Sequence, residues 1–137
     1  EAIIKGEGDA LLKTAVNELL RYDTPLPMFE RYALEDMEIN GYELKRGQEV
    51  ALMYISGNRD EARFSQADEL VLTRSDNPLL TFGLGTHYCL GAPLARLELQ
   101  TVYRFLFERM PNLKLMDEPT FSDGFVIRGL RELWVSS

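Results

Sequence analysis

The chain of 137 residues has one cysteine, one histidine and one tryptophan, and no apolar run near the length needed to cross a bilayer, about 18 residues. With Cys89 alone it closes no internal disulfide, so the cross-linked frameworks of small secreted domains are excluded and a reducing, cytoplasmic setting is expected. It also lacks the charged, apolar and small-residue succession of a signal peptide. Basic residues are in deficit: 15 Lys and Arg stand against 22 Asp and Glu, a formal charge of −7. This argues against nucleic acid or an anionic membrane as the principal partner, because both call for a basic face. No internal repeat or low-complexity linker divides the chain. It begins at Glu1 rather than Met, which fits a piece cut from a longer protein.

What the chain does have is pattern. Residues 1–8, with Ile3 and Ile4 ahead of Gly6-Glu7-Gly8, read as the frayed end of something upstream. From Asp9, a good N-cap, Leu11, Leu12, Ala15, Val16, Leu19 and Leu20 recur at helical spacing and predict a helix over 9–22. Within it Glu18 and Arg21 share a face, and the ordinary reading of such a pair is a surface ion pair worth about 0.2–0.5 kcal/mol. Asp23-Thr24-Pro25-Leu26-Pro27-Met28-Phe29 cannot be helical, because two prolines fix φ and restrict the residues before them. From Tyr32 to Met53 short apolar runs alternate with turns at Asn40-Gly41 and Arg46-Gly47, predicting a small β-sheet with a hairpin at Asn-Gly. Ser56 to Ala62 reads as a short helical turn, and Phe64 to Arg74 as an irregular charged stretch.

The most distinctive stretch is Phe82-Gly83-Leu84-Gly85-Thr86-His87-Tyr88-Cys89-Leu90-Gly91, a glycine-rich loop running into Ala92-Pro93-Leu94-Ala95-Arg96-Leu97-Glu98 and a helix expected to reach about Arg109. Leu94, Leu97, Thr101 and Phe105 fall on one line of that helix, and Ala95, Leu99, Val102 and Leu106 on the next. Two adjacent apolar lines predict a largely buried helix, stopped by Met110-Pro111. Short strands are expected at Leu113–Leu115, Phe121, Phe125–Ile127 and Leu133–Val135, with Ser122-Asp123-Gly124 as a hairpin turn.

A cysteine just ahead of a helix lies where free backbone N–H groups favour an anionic sulfur, and a lone cysteine thiolate on iron is a haem arrangement. Other readings of the loop are poorer. A zinc site at His87 and Cys89 would have to take two carboxylates, since no other Cys or His exists. A Cys/His nucleophilic pair normally draws its base from a distant segment, and His87 is the sole histidine. A dinucleotide-binding loop would need its third glycine at Tyr88. A plain structural loop with a buried cysteine is the bland alternative.

The run Phe-Gly-x-Gly-x-His-x-Cys-x-Gly followed by Ala-Pro-Leu-Ala-Arg-x-Glu resembles the haem-binding signature of the cytochrome P-450 family, especially its soluble bacterial members. Glu18-Leu19-Leu20-Arg21 resembles the family's Glu-x-x-Arg motif, and Asn58-Arg59-Asp60 and Leu72-Thr73-Arg74 look like its meander. The resemblance implies that Cys89 is the axial ligand of haem b (iron protoporphyrin IX), that His87 and Arg31 contact haem propionates, and that Phe82 covers the sulfur. It adds Gly83, Gly91 and Ala95 to the cofactor site. It nominates Pro27, Met28, Phe29, Phe125 and Val126 as substrate contacts, and Glu18 and Arg21 as a structural network completed by Arg59 or Arg74. Two departures bear on that choice: Glu61 stands where soluble members have proline, and Ala67-Asp68-Glu69-Leu70 where they have a Pro-x-Arg-Phe run.

The expected fold is α+β, mainly helical: the C-terminal part of the cytochrome P-450 fold, with two long helices, small β-hairpins and a cysteine loop. Residues 1–137 would form the haem-binding portion of such a domain, without its N-terminal part and without the distal helix whose Ala/Gly-Gly-x-Asp/Glu-Thr run delivers protons to dioxygen; no catalytic residue is assigned within this chain. The parent would be a haem-thiolate monooxygenase, inserting one oxygen atom into a small organic substrate with electrons from a donor such as a ferredoxin or flavodoxin. The isolated chain is expected to be inactive and to self-associate. The competing expectation is a natural truncation serving as a non-catalytic haem-binding or scaffold domain.

Overall fold

The computed structural model describes residues 8–124 and 126–137, apart from the side chain of Asp9. The expected cap at Asp9, the frayed start with Ile3 and Ile4, and Phe125 with its substrate role lie outside the described residues. Helix α1, Gly8–Tyr22, buries Leu12, Ala15 and Val16, residues spaced three and four apart as one helical face requires. Its C-terminal carbonyls are answered locally, because the Thr24 hydroxyl donates to the C=O of Leu20 and Arg21 at 3.3 and 3.2 Å. Pro25 and Pro27 then hold the chain extended into β1, Phe29–Tyr32.

Strand β1 pairs antiparallel with β4, Glu49–Leu52, in the register Phe29 to Leu52 and Tyr32 to Glu49. Between them β2, Met37–Ile39, and β3, Tyr42–Leu44, form the expected hairpin. Its turn residues Asn40 and Gly41 have φ of 50° and 83°, the two positive values a type I′ turn demands. Beyond β4 the expectation of a helical turn at 56–62 is corrected. The turn is α2, Tyr54–Gly57, and the Asp60 carboxylate accepts from the Ala62 N–H at 2.9 Å, drawing the next residues into a local turn instead of helix.

Helix α3, Ala92–Arg109, starts with Pro93 in its first turn, ends at Met110-Pro111, and packs on α1. It is not the largely buried helix its two apolar lines predict. Leu94, Leu97 and Phe105 are 58%, 61% and 49% exposed, and Ala92 is its only buried member. One flank meets α1 and the cysteine loop, while nothing among the described residues covers the other. The C-terminal segment forms two separate ribbons: β5, Lys114–Leu115, with β8, Val135–Ser136, and β6, Thr120–Phe121, with β7, Leu130–Glu132. Here too the expectation changes. Val126 and Ile127 are not strand, and neither 122–124 nor 126–129 continues β6 or β7, so the two strands are not joined by a tight turn at 122–124. Their connection is closed by the Ser122 N–H donating to Gly129 C=O at 2.9 Å, and it is held to the α1–β1 connector by the Arg128 N–H donating to Pro25 C=O at 2.8 Å.

Candidate cofactor site

Glu18 and Arg21 are each fully buried, so the surface ion-pair reading is set aside. The Arg21 guanidinium grips both carboxylate oxygens of Glu18 at 2.8 Å through Nε and Nη2, a bidentate geometry. Its remaining donors reach the C=O groups of Asn58, Ala67 and Glu69 at 2.7, 2.8 and 3.0 Å. Glu18 also accepts from Arg74 Nε at 3.0 Å, Asn77 Nδ2 at 3.0 Å and the Val71 N–H at 2.9 Å. Burial by itself would push this carboxyl up. The hydrogen bonds from Arg21, the Val71 N–H and Arg74, with the Arg21 charge, outweigh it and hold Glu18 below its ordinary pKa.

Between the two candidate arginines the geometry is plain: Arg74 touches Glu18, whereas Arg59 donates to the C=O of Tyr22, lies 3.8 Å from that ring's centroid and pairs with Asp68. The departure at Ala67-Asp68-Glu69-Leu70 leaves Arg21 well partnered, because what it takes from that run is backbone C=O, which any side-chain sequence supplies. A second buried chain went unread in the sequence. Asn58 Nδ2 donates to the hydroxyls of Thr24 and Thr81 at 2.7 and 3.1 Å, its Oδ1 accepts from the Leu80 N–H, and Thr81 donates to Leu20 C=O at 2.7 Å. These partners lie tens of residues apart, and no local pattern announces them. Together they tie the residues immediately before Phe82 to α1.

On the far side of that brace opens a cavity of about 720 Å³, within the range of cofactor sites. Arg31 from β1, Phe82, Gly83, His87 and Cys89 from the loop, and Ala95 from α3 all line it. Gly91 is not in the wall; a Cβ there would stand 3.8 Å from Cys89 Sγ. The loop holds its shape through Gly83 and Gly85, whose φ of 73° and 70° are left-handed, and through the Cys89 N–H donating to Phe82 C=O at 2.9 Å. Of the nominated substrate residues that are described, only Phe29 reaches this cavity. Met28 and Val126 share a small neighbouring one with Phe29, and the C=O of Pro27 is engaged by the Ile55 N–H at 3.0 Å.

The wall also includes residues the sequence reading passed over. Pro25 and Leu26 stand where Pro27 and Met28 are expected, and Leu99 and Val102 could have been found, being four and seven residues beyond Ala95 on one helical line. Apolar side chains dominate the wall, Cys89 is its single sulfur, Arg31 and His87 supply two basic groups, and Glu98 is its one carboxylate. Among the described residues no group of three or more His, Cys, Asp and Glu is placed to hold a metal ion. A single sulfur in such a wall suits a metal whose other ligands come with a large, mostly apolar cofactor bearing acidic groups.

That class agrees with comparison to known proteins. The family model for cytochrome P450 matches residues 10–122. The biotin biosynthesis cytochrome P450 of Bacillus subtilis (strain 168) is 44% identical over 131 residues, covering 95% of this chain and 33% of that protein. The steroid C26-monooxygenase of Rhodococcus jostii (strain RHA1) is 36% identical over 124 residues, covering 90% of this chain and 26% of the relative. Among solved structures, P450BioI in complex with an acyl carrier protein ligated to hexadec-9Z-enoic acid matches with a TM-score of 0.91 at 40% identity, over 98% of this chain and 37% of that one. Cytochrome P450 CREJ matches with a TM-score of 0.92 at 35% identity, over 98% and 34%. The chain belongs to the cytochrome P450 family, and it spans about a third or less of the length of these curated relatives.

Proposed function

We propose that this chain is the C-terminal, haem-holding part of a cytoplasmic haem-thiolate monooxygenase. The observation that carries the reading is the convergence of Cys89, Phe82, His87 and Arg31 on one apolar cavity. Cys89 would supply the thiolate that holds the iron of haem b, and Phe82, Gly83 and Ala95 would pack against the group, with Gly91 leaving room beside the sulfur. His87 and Arg31 would hold its acidic groups, a task for which a guanidinium suits because it binds carboxylates without losing charge. Bound there, the haem would supply dioxygen activation and the insertion of one oxygen atom into a small organic substrate, with electrons from a donor such as a ferredoxin or flavodoxin. Phe29 would meet that substrate, with Met28 and Val126 behind it. The half-exposed apolar side chains of α3 favour this reading over a self-sufficient truncated scaffold, since a face of that kind needs cover from further protein.

Reduction of the full-length protein under carbon monoxide is expected to give the strongly red-shifted Soret band of thiolate-ligated haem, and Cys89→Ala to abolish it. An unshifted band in the intact protein would overturn the assignment.

A further inference from the structure

We infer that Arg96 is a positioning residue for the cofactor site, fixing the Phe82 ring beside Cys89 and adding a positive charge behind the sulfur; this rests on the haem-thiolate reading above. Arg96 follows Ala95 on α3, so its side chain leaves the helix about 100° round from the cavity-lining row. It crosses behind the cysteine loop toward α1. There Nε donates to Asn17 Oδ1 at 2.8 Å, and Nη1 donates to the hydroxyl of Tyr88, the residue before Cys89, at 2.9 Å.

Held at those two points, the guanidinium lies 4.5 Å from the centroid of the Phe82 ring, against whose edge Tyr88 also packs at 6.5 Å. A cation over an aromatic face is attracted to it, and a planar guanidinium can stack and donate laterally at once, which an ammonium cannot. Phe82 is bound in turn to Cys89, whose N–H donates to its C=O at 2.9 Å, and both line the cavity. One half-buried side chain thus joins α1, α3 and the loop at the residue whose C=O accepts the Cys89 N–H. A positive charge so placed favours whichever state of the site carries one more electron.

The test is the midpoint potential of the haem iron in the full-length holoprotein, measured by spectroelectrochemistry with wild type, Arg96→Met and Arg96→Lys. Arg96→Met keeps the stem and removes charge and plane, and it is expected to shift the midpoint to more negative potential. Arg96→Lys restores the charge alone and is expected to recover part of that shift. A wild-type midpoint in Arg96→Met, or a shift that Arg96→Lys does not reduce, overturns the inference. Should Arg96→Met fail to load haem, Tyr88→Phe decides, because it cuts one anchor of Arg96 and leaves the ring. A smaller negative shift then supports the role, and an unchanged midpoint overturns it. Wild-type protein without the thiolate-type carbon monoxide band sinks the haem-thiolate reading itself, whereas the band together with an unmoved Arg96→Met midpoint sinks only the role of Arg96.

Discussion

The two regions flanking α1 invert the usual arrangement of a small globular protein. On one flank the contents are polar and sealed: Glu18, Arg21, Thr24 and Asn58 are wholly buried, and the Glu18 carboxylate receives donors from Arg21, Val71, Arg74 and Asn77. On the other, the outer face of α3 is apolar and open, with Leu97 61% exposed. Directional groups need partners at fixed distances, and those of Glu18, Arg21, Thr24 and Asn58 lie inside this chain, while Asn77 Oδ1 at the edge of the network is buried without one among the described residues. Apolar burial is non-directional, so the open flank can be satisfied by any apolar surface brought against it. The difference teaches which half of the architecture is self-contained.

The sharpest way to break the comparison is to remove the centre of the polar flank. Glu18→Ala leaves Arg21 buried without its counter-charge, a loss of about 3–5 kcal/mol, enough to unfold a marginal domain. Soluble haem-loaded full-length protein is expected to disappear, and recovery of a folded variant of near-normal denaturant midpoint would refute the role. The same site predicts a pH dependence. Because the folded state holds this carboxyl below the value of 4.5 it has when free, its contribution is complete above that value and is lost as pH falls below it through the lowered one. Urea midpoints of the wild type between pH 6 and pH 3 should show the decline, and a profile flat on the acid side would contradict it.

The open flank is probed in the isolated chain, where sedimentation is expected to show concentration-dependent association. Leu97→Glu should weaken that association with a stability change within about 0.5 kcal/mol, the ordinary effect of a surface substitution. Association unchanged by the new charge would mean that another surface is responsible. A similarly small effect on stability is expected at Arg128, whose ion pair with Asp23 at 2.7 Å is 39% and 56% exposed. Arg128→Ala should cost under about 1 kcal/mol by thermal denaturation, and a loss as large as that of Glu18→Ala would erase the distinction between sealed and exposed pairs.

How much of this was legible beforehand follows from the range of each interaction. The span of α1, the Asn40-Gly41 hairpin and the loop from Phe82 to Gly91 rest on periodicity and on backbone needs confined to a few residues, and one sequence suffices to read them. The helical turn near Asn58 was misplaced because the Asp60 carboxylate captured a local N–H, a competition that propensity does not rank. Phe29 was legible as a wall residue, but Pro25 and Leu26 were not. Which side of an extended connector faces the cavity depends on its anchoring, here by Arg128 and Ile55 onto Pro25 and Pro27.

By itself the sequence determined the chemistry present: one thiol, one imidazole, a glycine loop shaped to present them, and an acid and an arginine three residues apart on one helix. Only the tertiary structure decided that this pair is sealed and that Arg74 completes it while Arg59 turns back onto Tyr22. It also decided that Asn58 links Thr24 to Thr81 and that one flank of α3 stays open. Each of those outcomes depends on which groups the chain brings together across tens of residues, where a charge meets a partner or meets water according to the path of the backbone between them.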